Sequence, residues 1–157
     1  MKNIRTPMTV CACVLLLGCT TSNPSNLTST GLAPHHPLEP CPKTPNCVSS
    51  LESTNNNYVA PLRYTGKMEV AHRKLAKIIE SDQRAKIVTI QENYIKVEYR
   101  SAFLGFIDDV EFFFSSKQPM VEVRSASRAG YYDFGVNRKR IAKIRQRWTE
   151  PPTPSAE

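Results

Sequence analysis

The chain carries little of what catalysis usually needs. It has 3 histidines in 157 residues. Only His72 falls in the part that reads as folded, flanking Ala71 and Leu75 on a helical stretch as a boundary residue would. No Gly-x-Ser-x-Gly elbow and no His-Glu-x-x-His pair occurs, so neither the strained nucleophile turn nor the helical zinc pair is available. No apolar run approaches the ~20 residues that span a bilayer; the longest, Val10 to Leu17, is about half that. No internal repeat is present.

What the front of the chain does have is an address. Lys2 and Arg5 precede the apolar run, and Leu16-Leu17-Gly18-Cys19 follows it. This is the layout of a secretory signal over residues 1–18, and the last four residues resemble a bacterial lipobox. In such a box the cysteine is acylated and becomes the first residue of the mature chain. One acyl chain holds a membrane marginally, whereas two or three hold it durably. Thr20, rather than an aspartate, follows Cys19, so the periplasmic leaflet of the outer membrane is the expected location.

Of 5 cysteines, Cys11 and Cys13 depart with the signal and Cys19 takes the lipid, leaving Cys41 and Cys47. In an oxidising compartment this pair is expected to form a disulfide across the turn-rich Pro-Lys-Thr-Pro-Asn, worth roughly 2 to 3 kcal/mol. A metal site combining them with His35 and His36 would match no usual zinc spacing, and no cofactor or metal is expected. Residues 19–40 comprise the lipidated cysteine and a tether rich in Ser, Thr, Asn and Pro, residues 150–157 form a similar tail, and residues 41–149 form the folded domain.

Within that domain, Met68, Ala71, Leu75, Ile78 and Ile79 recur at helical spacing over residues 67–81. Four strand patterns follow, over residues 85–91, 94–101, 107–114 and 119–126. Ile95, Val97 and Tyr99 alternate with Lys96, Glu98 and Arg100, as Val110, Phe112 and Phe114 do with Asp109, Glu111 and Phe113. Residues 137–149 form a second helix with a narrow stripe of Ile141, Ile144 and Trp148. The expected fold is α+β, a four-stranded antiparallel sheet with two helices packed on one face. Cross-strand ion pairs explain the mixed charges on the other face.

Candidate functional residues gather in Arg124-Ser125-Ala126-Ser127-Arg128 through Asp133 and Asn137-Arg138. The hairpin of the last two strands allows two registers, one placing Asp108 opposite Ser125 and the other opposite Ser127. In both, Asp108 turns toward the apolar side and needs donors, with Ser125, Ser127, Arg128 and amides near Gly130 the nearest candidates. Gly130 and Gly135 permit tight backbone around Tyr131 and Tyr132. Asp133 or Asn137 can cap the second helix, and Arg124, Arg128 and Arg138 near its start suit a phosphate or carboxylate. The same residues could instead brace Asp108, Asp109, Glu111 and Asp133 structurally. Arg138, Lys139, Arg140, Lys143, Arg145 and Arg147 on that helix read either as a solvated face or as a surface for anionic head groups.

The segments CPKTPNCVSS (41–50), FIDDVEFFF (106–114) and RSASRAGYYDFGVNRKRIAKIR (124–145) resemble the domain of unknown function 1499 family. Its members often occur as bacterial lipoproteins or membrane-associated proteins, and the resemblance implies no activity.

The expected function is therefore binding, with the membrane reached through the Cys19 anchor. The formal net charge of +7 remains basic, at about +5, once Lys2 and Arg5 leave with the signal, which favours an anionic lipid, lipopolysaccharide or glycan ligand, with a protein partner as the other option, and the compartment argues against nucleic acid. The alternative is an envelope glycan or lipid hydrolase using Asp108, Asp109 and Glu111. Cys19→Ser is expected to release the protein from membranes on cell fractionation; continued sedimentation with membranes would refute lipidation at that residue.

Overall fold

The computed structural model describes residues 36–53, 56–101 and 105–150. The signal, Cys19, His35, most of the tether and the tail beyond Glu150 lie outside the described residues.

Eight elements follow in order: β1 (Cys47–Ser49), β2 (Leu62–Arg63), α1 (Met68–Glu80), β3 (Ala85–Gln91), β4 (Tyr94–Arg100), β5 (Ile107–Phe114), β6 (Met120–Ser127) and α2 (Val136–Thr149). All strand pairs are antiparallel, in the order β1-β6-β5-β4-β3, with β2 pairing β6 beside β1. The sheet thus has six strands rather than four. The two extra strands are 3 and 2 residues long, too short for alternation to show.

The alternating residues behave as their period requires. Ile95, Val97, Val110, Phe112, Phe114, Val121 and Val123 are fully buried on one face and join Leu75, Ile79, Ile141, Ile144 and Trp148 in a single core. Helix α1 packs on β3, α2 packs on β6 and β1, and the helices touch each other. Beyond the core, Leu38 is buried although it lies in the stretch read as tether. Next to it, His36 Nε2 bonds Glu122 at 2.7 Å while its ring meets Phe113 edge-on. The packed chain therefore begins before Cys41, because one leucine among prolines is enough to dock a short strap. Strand β3 is the far edge of the sheet, and its register with β4 shifts between Ile87 and Thr89.

Helix α2 has too few apolar residues to be held by burial alone, and its cations supply the rest. They are not simply solvated, as the sequence allowed. Arg138 donates to the Tyr58 and Asn56 carbonyls, both at 2.7 Å. Arg145 reaches the Pro61 carbonyl at 3.0 Å and also the Ala60 carbonyl, and Arg147 bonds the Ile78 carbonyl at 3.0 Å and the Ser81 hydroxyl. The carbonyls of the irregular segment before β2 have no ladder partners, and that of Ile78 lies in the last turn of α1, so guanidinium forks satisfy them. Trp148 Nε1 donates to the Arg63 carbonyl at 2.8 Å, and Lys74 lies over the Trp148 ring.

Cys41 and Cys47 are joined, with Cα atoms 5.6 Å apart. Reducing this bond opens a short loop and is expected to lower unfolding free energy by roughly 2 kcal/mol, checked by urea unfolding of oxidised and reduced protein.

Candidate functional site

The register of β5 against β6 decides what meets what. Asp108 lies opposite Ser127, Asp109 opposite Ala126, Val110 opposite Ser125 and Glu111 opposite Arg124. This is the second of the two registers the sequence permits. Facing residues share a side, so Asp108, Ser125 and Ser127 look toward the helices while Asp109, Glu111 and Arg124 look the other way.

On the helix side the start of α2 closes over the sheet. Asn137 is 0% exposed, and both halves of its amide are used. Its Oδ1 accepts from Ser125 Oγ at 2.6 Å and from Arg140 Nη1 at 2.5 Å. Its Nδ2 donates to the Asn46 carbonyl at 2.9 Å and to Ser127 Oγ at 3.0 Å. Arg140 also donates to Ser125 Oγ at 3.0 Å and to the buried Asp108 carboxylate. Asp108 therefore takes its donor from Arg140 and not from Ser125, Ser127 or Arg128. The Arg140 guanidinium sits 4.7 Å from the centre of the Tyr99 ring. Burial pushes the Tyr99 phenol up to about 12, so it stays neutral and cannot serve as a base at ordinary pH.

Asp133 does the capping. From two residues before the N-cap Gly135, it accepts the Gly135 N–H at 2.9 Å and the Asn137 N–H at 2.8 Å, the second being an amide that the first turn of α2 leaves open. Asn137 is not a cap; its side chain is turned inward. Arg140 was missed among the solvated cations. It stands three residues after Asn137, one turn along the same side of the helix, and that spacing was the available signal.

On the outer face, Arg128 grips Asp109 with two bonds of 2.7 and 2.8 Å and Glu98 with a third of 2.5 Å. Lys96 approaches Asp109 at 3.6 Å. Arg124 bonds Glu111 at 2.9 Å, and Glu111 also accepts the Tyr94 hydroxyl at 2.6 Å. The Arg128 hydrogen bonds hold the Asp109 carboxyl below the usual aspartate value despite some burial. Burial, followed by the hydrogen bond to Glu111 and then its charge, holds the Tyr94 phenol well above its usual value.

The nine predicted residues thus divide. Asp108, Ser125, Ser127 and Asn137 come together, with Asp133 at the rim. Asp109, Arg124 and Arg128 lie across the sheet from them, and Arg138 reaches toward Tyr58. The three arginines do not converge on one anion. Asp108 cannot flank a substrate with Asp109 or Glu111, because the sheet separates them. Among the described residues, no group of three or more His, Cys, Asp or Glu side chains could hold a metal ion. A hollow of about 330 Å³ lies elsewhere, lined by Arg63, Tyr64, Lys74 and Trp148 among others, but Lys74 is already bound to the Trp148 carbonyl at 2.6 Å.

A sequence model of the family described as "Protein of unknown function (DUF1499)" matches residues 37–147. The chain belongs to the DUF1499 family. No curated protein and no solved structure matches it. The DUF1499 match runs from the strap beside Leu38 through the last turn of α2, so it takes in the sheet, both helices and the Asn137 network.

What the network leaves outside is aromatic. Tyr131, Tyr132 and Phe134 are 71%, 57% and 79% exposed, on the loop between β6 and α2. Tyr132 and Phe134 meet edge-on with centroids 5.2 Å apart. Phe134 has a φ of 54°, a left-handed conformation that costs a non-glycine residue about 1 kcal/mol or more. Sequence reasoning noted the flanking glycines and passed over the rings. The signal was a run of aromatics fitting neither the strand nor the helix period.

Asp108→Ala would strand the buried Arg140 charge and is expected to cost about 3 to 5 kcal/mol of stability, measured by urea unfolding. Asp109 is ordinarily half-protonated at 3.8 and lower when folded, so its contribution is present above 3.8 and lost as pH falls through the folded value. Arg128→Met should move the Asp109 titration upward by NMR and shrink that acid-side loss.

Proposed function

We propose that this DUF1499 protein is a lipoprotein of the bacterial envelope, anchored through Cys19 to the periplasmic leaflet of the outer membrane, whose domain binds an envelope component and catalyses no reaction. The lipobox-like Leu16 to Cys19 supports the anchor. The carrying observation for binding is the exposed aromatic loop at residues 131–134. The polar groups beneath it are matched with one another and serve as its foundation: Asp133 and Asn137 fix the loop's exit into α2, and Asn46 Nδ2 donates to the Gly130 carbonyl at its entry. A large ring in a strained backbone conformation, placed in water, gives the fold neither burial nor a relaxed turn. Such a position is better understood as selected for contact with something else.

The anion-binding reading of Arg124, Arg128 and Arg138 is weaker, since each is engaged within the protein. A ligand there would have to displace charge-assisted bonds of ordinary length.

Phe134→Asn tests whether the ring serves the fold, because Asn tolerates the left-handed region. Unfolding free energy is expected to hold or rise; a fall of more than about 1 kcal/mol would assign the ring to stability. In cells, a photo-crosslinking residue at position 134 should form adducts that the same residue at Val70, 54% exposed on α1, does not. Absence of adducts at 134 would overturn the binding reading.

A further inference from the structure

We infer that the surface this loop recognises is the head-group layer of an anionic phospholipid bilayer, into which Tyr131, Tyr132 and Phe134 insert shallowly. The inference rests on the proposed role of the loop in binding and names its partner.

The first argument is the kind of side chain. Tyrosine and phenylalanine are suited to a boundary where a ring is buried and a hydroxyl stays wet. Phe106, 53% exposed, precedes β5 at the same end of the sheet, where the Ile107 carbonyl accepts the Arg128 N–H at 3.1 Å. Val136, also exposed, opens α2 there. One end of the sheet therefore carries four exposed rings and a valine.

Area is the second. At 150 to 250 Å² for a whole aromatic side chain, these rings leave roughly 500 Å² open. A stable protein interface takes about 800 Å² from each partner, so the patch is small for a protein and adequate for insertion at a bilayer surface.

Charge is the third. Between Arg128 and Arg140 the sole acidic residue is Asp133, and its carboxylate is bound to the Gly135 and Asn137 amides. The first turn of α2 contains no acid, and the exposed Arg138 and Lys139 follow the rings directly. With Arg128 and Arg140 set against Asp109, Glu98 and Asp108, Arg138 and Lys139 still outnumber Asp133 beside the rings, and anionic head groups complement that excess.

The chain outside the described residues also permits the arrangement. His36 meets Phe113, five residues along β5 from Asp108 and so about 17 Å from the aromatic end. Residues 20–35 have a contour length of about 55 Å, more than enough for that end to reach the bilayer holding the Cys19 lipid.

The test uses residues 35–157, which include the whole hydrophobic core of the described residues, in flotation with vesicles of phosphatidylcholine and phosphatidylglycerol at low salt. Binding to vesicles rich in phosphatidylglycerol is expected, with at least a tenfold loss for the Tyr131→Ser/Phe134→Ser variant and none for Val70→Ser. Equal binding by the double variant, or equal binding to pure phosphatidylcholine, would overturn the inference. If no vesicle is bound while position 134 crosslinks to a protein in cells, the bilayer is the wrong partner and the binding role of the loop stands. If neither occurs, both fall.

Discussion

The four hydrogen bonds of the buried Asn137 amide hold the polar corner of this structure together. They tie α2 to the Asn46 carbonyl just before β1 and to two serines of β6, with Arg140 carrying the connection on to Asp108 of β5. An amide with no exposure is costly unless every donor and acceptor is matched. Here all are matched, and from three separate parts of the chain. The angle at which α2 leaves the sheet, and so the place where the preceding loop projects, follows from that one side chain.

The same logic explains why a strongly basic helix sits on an apolar core. Its arginines act as bolts: long stems cover apolar surface and their heads close on carbonyls that no strand pairs. Burial pulls the Arg145 guanidinium below its ordinary value, the mark of a cation working inside the protein. Formal net charge therefore overstates what this helix offers to an outside anion.

Much of the fold was legible because it rests on period. Ile95 to Tyr99, Val110 to Phe114 and the α1 stripe announced their faces, and the strand limits came within a residue or two. Register was legible only as a choice of two, since both keep the apolar faces aligned and the alternation of the strands does not separate them. β1 and β2 were invisible because their strand character comes from β6 and not from their own residues. At the candidate site, the residues in the Arg124–Arg138 run were identified but their grouping was not. Alternation says which side of a sheet a residue takes only once the register is known, and Arg140 looked like its solvated neighbours until Asp108 was placed beneath it.

One feature far from this corner bears on how many copies can live side by side. The register slip between Ile87 and Thr89 puts a kink in the outermost strand, where Val88 and Ile90 are exposed. A straight border of unpaired amides beside two aliphatic side chains would invite a neighbour to zip on and start a fibre. The kink spoils the spacing such zipping needs, so copies of the chain can collide at this border without polymerising.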